Sequence, residues 1–169
     1  MSKFLLALDQ STAITGYAVF KGQELITYGH IHPEGEYMLR ISKLRDWLEN
    51  IIDTLNGDVE VIIEDIQLQE YEPNGKKIKA KDFGVVTYKK LAHVQGALLS
   101  LLEKENIKYD VISSSAWKKT CGVTGKIRNE QKKNAQAFVI NKYKIKPTQD
   151  EADAICIGYH ALNRGFDWS

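Results

Sequence analysis

Two aspartates three residues apart, Asp150 and Asp153, carry the clearest chemical signal in this chain. Thr148 followed three residues later by Glu151 forms a capping-box pattern and predicts a helix from Gln149, with Pro147 sharpening its start. At that spacing Asp150 and Asp153 share one helix face, while Glu151 points about 100° away and has the capping role. The residues that follow, Ala152, Ala154, Ile155, Cys156, Ile157, Tyr159, Ala161 and Leu162, are apolar almost all round, which predicts a buried helix. Two carboxylates turned toward a protein interior are costly unless positive charge sits between them, and a divalent cation supplies it. The competing reading keeps both aspartates solvated in the first turn, where they favour the helix dipole.

Other acids stand where such a site would need them. Lys3 to Leu8 is a continuous apolar run that ends in Asp9, the pattern of a central strand covered on both faces. Val59 to Ile63 is a second such run, and it ends in Glu64 and Asp65. Ligands in α/β sheets collect at the carboxyl ends of strands. Alternation sends Glu64 and Asp65 to opposite faces, so at most one of them joins Asp9. A lone Asp9 would equally serve as a cap for the loop that follows it.

These acids need a scaffold. Thr15–Phe20 and Glu24–Ile31 read as a hairpin across Lys21-Gly22-Gln23, and Gly16 inside the first arm marks a bulge or a close backbone approach. A helix follows from about Tyr37 to Leu55, with Met38, Ile41, Leu44, Leu48, Ile51, Ile52 and Leu55 at helical spacing, which assigns them to the core, and Asn56-Gly57 as its stop. Glu70–Asp82 is polar and turn-rich, and its Lys76, Lys77, Lys79 and Lys81 are free to meet phosphates. Gly84–Asn106 reads as a long helix with an apolar arc wider than one sheet face can cover. Either a second copy of the chain or neighbours within it must supply the rest. Tyr109–Ser113 is the last strand, followed by a basic stretch from Trp117 to Arg128 and a helix from about Asn129 to Tyr143.

At 169 residues, 43% hydrophobic and 27% charged, the chain fits a single globular domain, residues 1–169. Its apolar runs are too short for a membrane span, no signal peptide opens it, and Cys121 and Cys156 read as reduced thiols, all of which predict a cytoplasmic protein. The net charge of +1 conceals an asymmetry. Lys104–Lys146 holds eleven basic and three acidic residues, leaving twelve basic and nineteen acidic elsewhere. That distribution suits a phosphate-bearing partner, although a solvated lysine-rich face is the commoner reason for a charge run.

The order of these elements, with residues 6–19 (Leu-Ala-Leu-Asp-Gln-Ser-Thr-Ala-Ile-Thr-Gly-Tyr-Ala-Val), 61–65 (Val-Ile-Ile-Glu-Asp) and 150–154 (Asp-Glu-Ala-Asp-Ala), resembles the RuvC-type Holliday junction resolvases of the RNase H-like superfamily. The resemblance implies an α/β fold with a five-stranded mixed sheet, an antiparallel hairpin plus parallel strands, flanked by helices. It places an acidic tetrad on Asp9, Glu64, Asp150 and Asp153. It also implies lysines against the DNA backbone: Lys118 and Lys133 match best, Lys133 as a catalytic group, with Lys119 and Lys132 as alternatives. The implied activity is hydrolysis of four-way or other branched DNA, leaving 5′-phosphate and 3′-hydroxyl ends. Two Mg²⁺ ions about 3.5–4 Å apart suit that chemistry, with Mn²⁺ as a substitute and carboxylates as ligands. Paired cuts on a two-fold symmetric junction imply a homodimer, and the chain's brevity suggests a phage-encoded version acting in a bacterial host's cytoplasm. The sequence departs from the family where Asp-Pro-Gly after the first strand is Asp-Gln-Ser here.

Two other classes compete. Sugar kinases and actin-like ATPases open a similar fold around an Asp, but they need a second domain and a glycine-rich phosphate loop, and neither is present here. A branched-DNA binder without catalysis would keep the fold, but it has no need for acids at all four positions.

Overall fold

Alternation within the strands sets the architecture. In the computed structural model, which describes residues 2–67 and 83–164, five strands form one mixed sheet in the order β3-β2-β1-β4-β5. They are β1 (Lys3–Asp9), β2 (Thr15–Lys21), β3 (Glu24–Ile31), β4 (Asp58–Glu64) and β5 (Tyr109–Ile112). The β1-β2-β3 meander is antiparallel, whereas β4 pairs parallel with both β1 and β5. The helices are α1 (Tyr37–Leu55), α2 (Phe83–Lys104), α3 (Ser114–Thr120), α4 (Arg128–Tyr143) and α5 (Gln149–Asn163).

The sheet separates two cores. On one face Leu6, Leu8, Val19, Val61 and Ile63 meet Ile41, Leu44 and Leu48 of α1 and Val94, Leu98, Leu101 and Leu102 of α2. On the other, Leu5, Ala7, Ala18, Phe20, Ile62 and Ile112 meet α3, α4 and α5. Because successive strand residues alternate faces, Asp9 follows Leu5 and Ala7 onto the α5 face, and Glu64 follows Ile62 there. The pairing of Leu8 with Ile63 puts Asp9 and Glu64 side by side at the carboxyl edge of the sheet. Asp65 falls on the opposite side, exposed, its carboxylate accepting the Ile66 N–H.

Two glycines let α5 lie directly on β2. A Cβ on Gly16 would stand 2.0 Å from the Asp150 carbonyl oxygen, and one on Gly158 would stand 2.2 Å from the Phe20 ring. Gly16 therefore marks a close approach between a strand and a helix. It also pairs with Asp9, so the same contact holds the first turn of α5 against the end of β1.

Three features differ from the sequence reading. Ser113 does not end β5; it leaves the strand and caps a seven-residue helix, α3, which takes up the first part of the basic stretch. The long helix stops at Lys104, with Asn106 in the left-handed region at φ 53°. The apolar arc of α2 divides: Val94, Leu98, Leu101 and Leu102 are buried within the chain, while Val85, Val86 and Tyr88 are exposed. No described helix is long and apolar enough to cross a membrane.

Candidate active site

Asp9 and Glu64 end the neighbouring strands β1 and β4, and Asp150 and Asp153 of α5 act on Asp9 through their charge. The capping box forms as the motif predicts: the Thr148 hydroxyl accepts from the Glu151 N–H at 3.3 Å, and Glu151 accepts from the Thr148 N–H at 2.9 Å. That start aims Asp150 and Asp153 at the strand ends. Asp9 has its pKa raised well above the usual carboxylate value by burial first, then by the charges of Glu64, Asp153 and Asp150, with Lys132 opposing. Asp153 is pushed up to about 7 by burial and by Glu64 and Asp150, with Lys118 and Lys132 opposing. Burial also raises Glu64, against an indole hydrogen bond from Trp117 and the charge of Lys118. Acids from three distant segments therefore bear on the ionisation of Asp9 and Asp153.

Glu151 lies between the two aspartates in sequence but is kept out of this group. Burial works against its charge, yet the Thr148 N–H and His30 hold it below the ordinary range, with His30 Nδ1 2.9 Å from Glu151 Oε2. Its role is to cap α5 and tie it to β3.

The lysines divide unevenly. Lys118 of α3 and Lys132 of α4 are partly buried and weigh on the acids' ionisation. Lys119 and Lys133, each one position further on, are exposed. One helical step of about 100° accounts for both differences. The lysine charges that bear on the acids are those of Lys118 and Lys132; the resemblance implied Lys118 and Lys133, with Lys119 and Lys132 as alternatives. Lys76 and Lys77 lie outside the described residues.

Three groups here were not anticipated. Trp117 Nε1 donates to Glu64 Oε2 at 2.8 Å. Gln131 accepts from Lys118 Nζ at 3.2 Å and donates to the Gly125 carbonyl at 2.9 Å, tying that lysine to the α3–α4 turn. Gln10, the residue after Asp9, donates to the Glu64 backbone carbonyl at 3.1 Å and links the ends of β1 and β4. A glutamine after a strand and a tryptophan in a basic stretch carry no chemical signature, so only the fold reveals them.

The same pocket can be tested as a metal site. Its donors are hard carboxylate oxygens suited to Mg²⁺ or Mn²⁺, and their mutual repulsion is what a cation relieves. As placed, no three acidic, histidine or cysteine side chains among the described residues lie close enough to share one ion. The donor chemistry and the electrostatics fit a divalent cation, and the coordination sphere itself is not formed.

This architecture has known counterparts. Thermus thermophilus RuvC in complex with a Holliday junction substrate superposes with a TM-score of 0.67 at 12% identity, over 97% of each chain. The chain has the fold of RuvC. A separate Thermus thermophilus RuvC structure gives 0.66 at 14% identity over 95% of each chain. The Fowlpox virus resolvase bound to Holliday junction DNA gives 0.58 at 14% identity, covering 95% of this chain and 97% of the other. No protein-family profile and no curated protein matches the sequence. At such low identity with RuvC the shared property is the fold, and the chemistry must be argued from the side chains.

Proposed function

We propose that this chain is a divalent-metal-dependent endonuclease that hydrolyses phosphodiesters in branched DNA, with the four-way junction as its main substrate and 5′-phosphate and 3′-hydroxyl ends as products. One observation supports the reading: Glu64, Asp150 and Asp153, far from Asp9 in sequence, all raise the Asp9 carboxyl by their charge, and the charges of Lys118 and Lys132 oppose the rise at Asp153. That two of the similar folds are bound to Holliday junctions supports the choice of substrate.

The four carboxylates would hold two Mg²⁺ ions, or Mn²⁺ in their place, and bound ions supply Lewis acidity and an activated water. The chain's own residues do the remainder. Lys118 and Lys132 offset charge that develops on the phosphate. Gln131 and the capped start of α5 hold the lysine and the aspartates in place. The basic segment Lys104–Lys146 gives the DNA backbone a surface to follow. The enzyme acts as a homodimer, so that two sites meet the two scissile strands, and it works in the cytoplasm, in a bacterial host if phage-encoded.

The test compares four-way, three-way and linear DNA of matched sequence, with Mg²⁺, Mn²⁺ or chelator, using the wild type and Asp9→Asn. Metal-dependent cutting of the branched forms that disappears in Asp9→Asn is the expected result. Junction binding without cutting under either metal would instead mark a branched-DNA binder, and cutting retained by Asp9→Asn would remove the acidic site from the reaction.

A further inference from the structure

The largest fully buried side chain on the α5 face of the sheet, Trp117, is also a polar neighbour of the acids. It is 2% exposed, and its Nε1–H points to Glu64 Oε2 at 2.8 Å. The chain takes a short route to this contact. Ile112 of β5 pairs with Glu64, Ser113 leaves the strand, and its hydroxyl accepts the Ala116 N–H, so α3 begins at once. Within that first turn and a half Trp117 reaches the side chain of the residue that pairs with β5's last position. An indole N–H donates and cannot accept, so its match is a carboxylate or carbonyl. A buried indole N–H needs an acceptor and a buried carboxylate needs donors, and this bond serves both.

The same ring has a second neighbour. Lys118 Nζ lies 5.6 Å from the Trp117 ring centroid and donates to Gln131. One indole thus contacts both a member of the acidic group and a cation that faces it. The indole hydrogen bond holds the carboxylate through Oε2.

We propose that Trp117 is a positioning residue that fixes the Glu64 carboxylate for a divalent cation, making α3 a structural part of the active site. Partners of this kind set a ligand's orientation, and their loss typically costs about 10- to 100-fold in metal affinity or activity. The inference rests on the nuclease reading and extends it to a residue that touches neither substrate nor metal.

The test is Trp117→Phe, which keeps an aromatic ring and deletes the donor. The Mg²⁺ concentration for half-maximal cutting should rise about tenfold or more. Calorimetric affinity for Mn²⁺ in the absence of DNA should fall in parallel, while junction affinity measured in Ca²⁺ stays within about twofold. A purely structural tryptophan would lower the melting temperature and leave the metal dependence unmoved, and that result overturns the proposal. If Trp117→Phe does not fold, the wild type answers by NMR. The chain has three tryptophans, Trp47, Trp117 and Trp168, and Trp47→Phe and Trp168→Phe assign the Trp117 indole resonance by exclusion. That resonance should shift on Mg²⁺ titration and stay still in Asp9→Asn; an indole indifferent to Mg²⁺ at concentrations that saturate cutting rejects the role. Failure of the wild type to cut any branched DNA under either metal would sink the nuclease reading instead, and the DNA-free metal titrations separate the two failures.

Discussion

Asp153 shows what the site costs the fold. Its carboxyl titrates near 7 in the folded chain against 3.8 as its ordinary value, because burial and its acidic neighbours disfavour the charge. The folded state therefore holds this proton more tightly than the unfolded state. Its stabilising contribution is complete below about pH 4 and is lost as pH rises through about 7. Asp9 is shifted in the same direction. In chelator, the melting temperature of the wild type should fall across that window, and Asp153→Asn should flatten the slope and raise stability at neutral pH, by up to roughly 4 kcal/mol. The same substitution should abolish cutting, and a neutral-pH melt that is lower in the variant would contradict the electrostatic account. Mg²⁺ should stabilise the wild type more strongly as pH rises, since binding must displace these protons. The adjacent lysines give a second residue-scale prediction. Lys132→Ala should slow cutting about a hundredfold or more, as loss of a charge-stabilising donor does, whereas Lys133→Ala should cost only a few-fold through weaker DNA binding. Equal losses would mean that α4 turns on binding DNA. Nothing in the Lys-Lys pair itself distinguishes its members, because the rotation of α4 decides which ammonium meets Asp9.

Among the elements, α5 does most to build the site, and its placement rests on Gly16. A methyl group there would collide with the Asp150 backbone, which cannot swing aside as a long side chain can. Gly16→Ala should destabilise the chain by about 1–3 kcal/mol and suppress cutting more than that loss explains, because the first turn of α5 carries both aspartates. Denaturant melts beside turnover at a temperature where the variant is fully folded would show the separation. Thr148→Ala removes half of the capping box and should cost about 1 kcal/mol, with a smaller effect on cutting. Both positions were readable from the sequence, because a capping box and a glycine inside a β run each have a local physical cause. The helix α3 was not. Seven residues are too few to show a hydrophobic period, and Ser113 reads as well as a strand end as it does a helix cap. Trp117 shared that fate, since a tryptophan reads as core whether or not its N–H meets a carboxylate.

For the molecule as a whole, topology was legible where assembly was not. Two apolar runs that each end in an acid, separated by a hairpin and a helix, leave few arrangements that bury both runs and cover both sheet faces, and the observed strand order is one of them. A wide apolar arc on α2, by contrast, was compatible with either an internal or an external neighbour. Its carboxyl-terminal half is covered by the sheet and α1. Its amino-terminal half exposes Val85, Val86 and Tyr88. Met38, which its helical spacing assigned to the core, lies in the first turn of α1 before the helix meets the sheet and is exposed, as is Leu39; the Tyr37 hydroxyl ties this end of α1 to α2 through the Lys90 carbonyl at 3.2 Å and His93 Nδ1 at 2.7 Å. Five large apolar side chains are thus exposed on the starts of two helices joined by that contact, and exposed apolar surface is what self-association covers. If two copies meet there, Val86→Glu should leave each domain folded and its acidic site intact while the sedimenting mass halves. A four-way junction would then be nicked on one strand at a time, with paired cuts within one binding event lost and cutting of single-branch substrates largely retained. Sedimentation at micromolar concentration together with a cruciform plasmid assay, which separates nicked from linear product, reads both consequences. A wild type that sediments as a monomer yet linearises the plasmid in one encounter would require another route to the second strand.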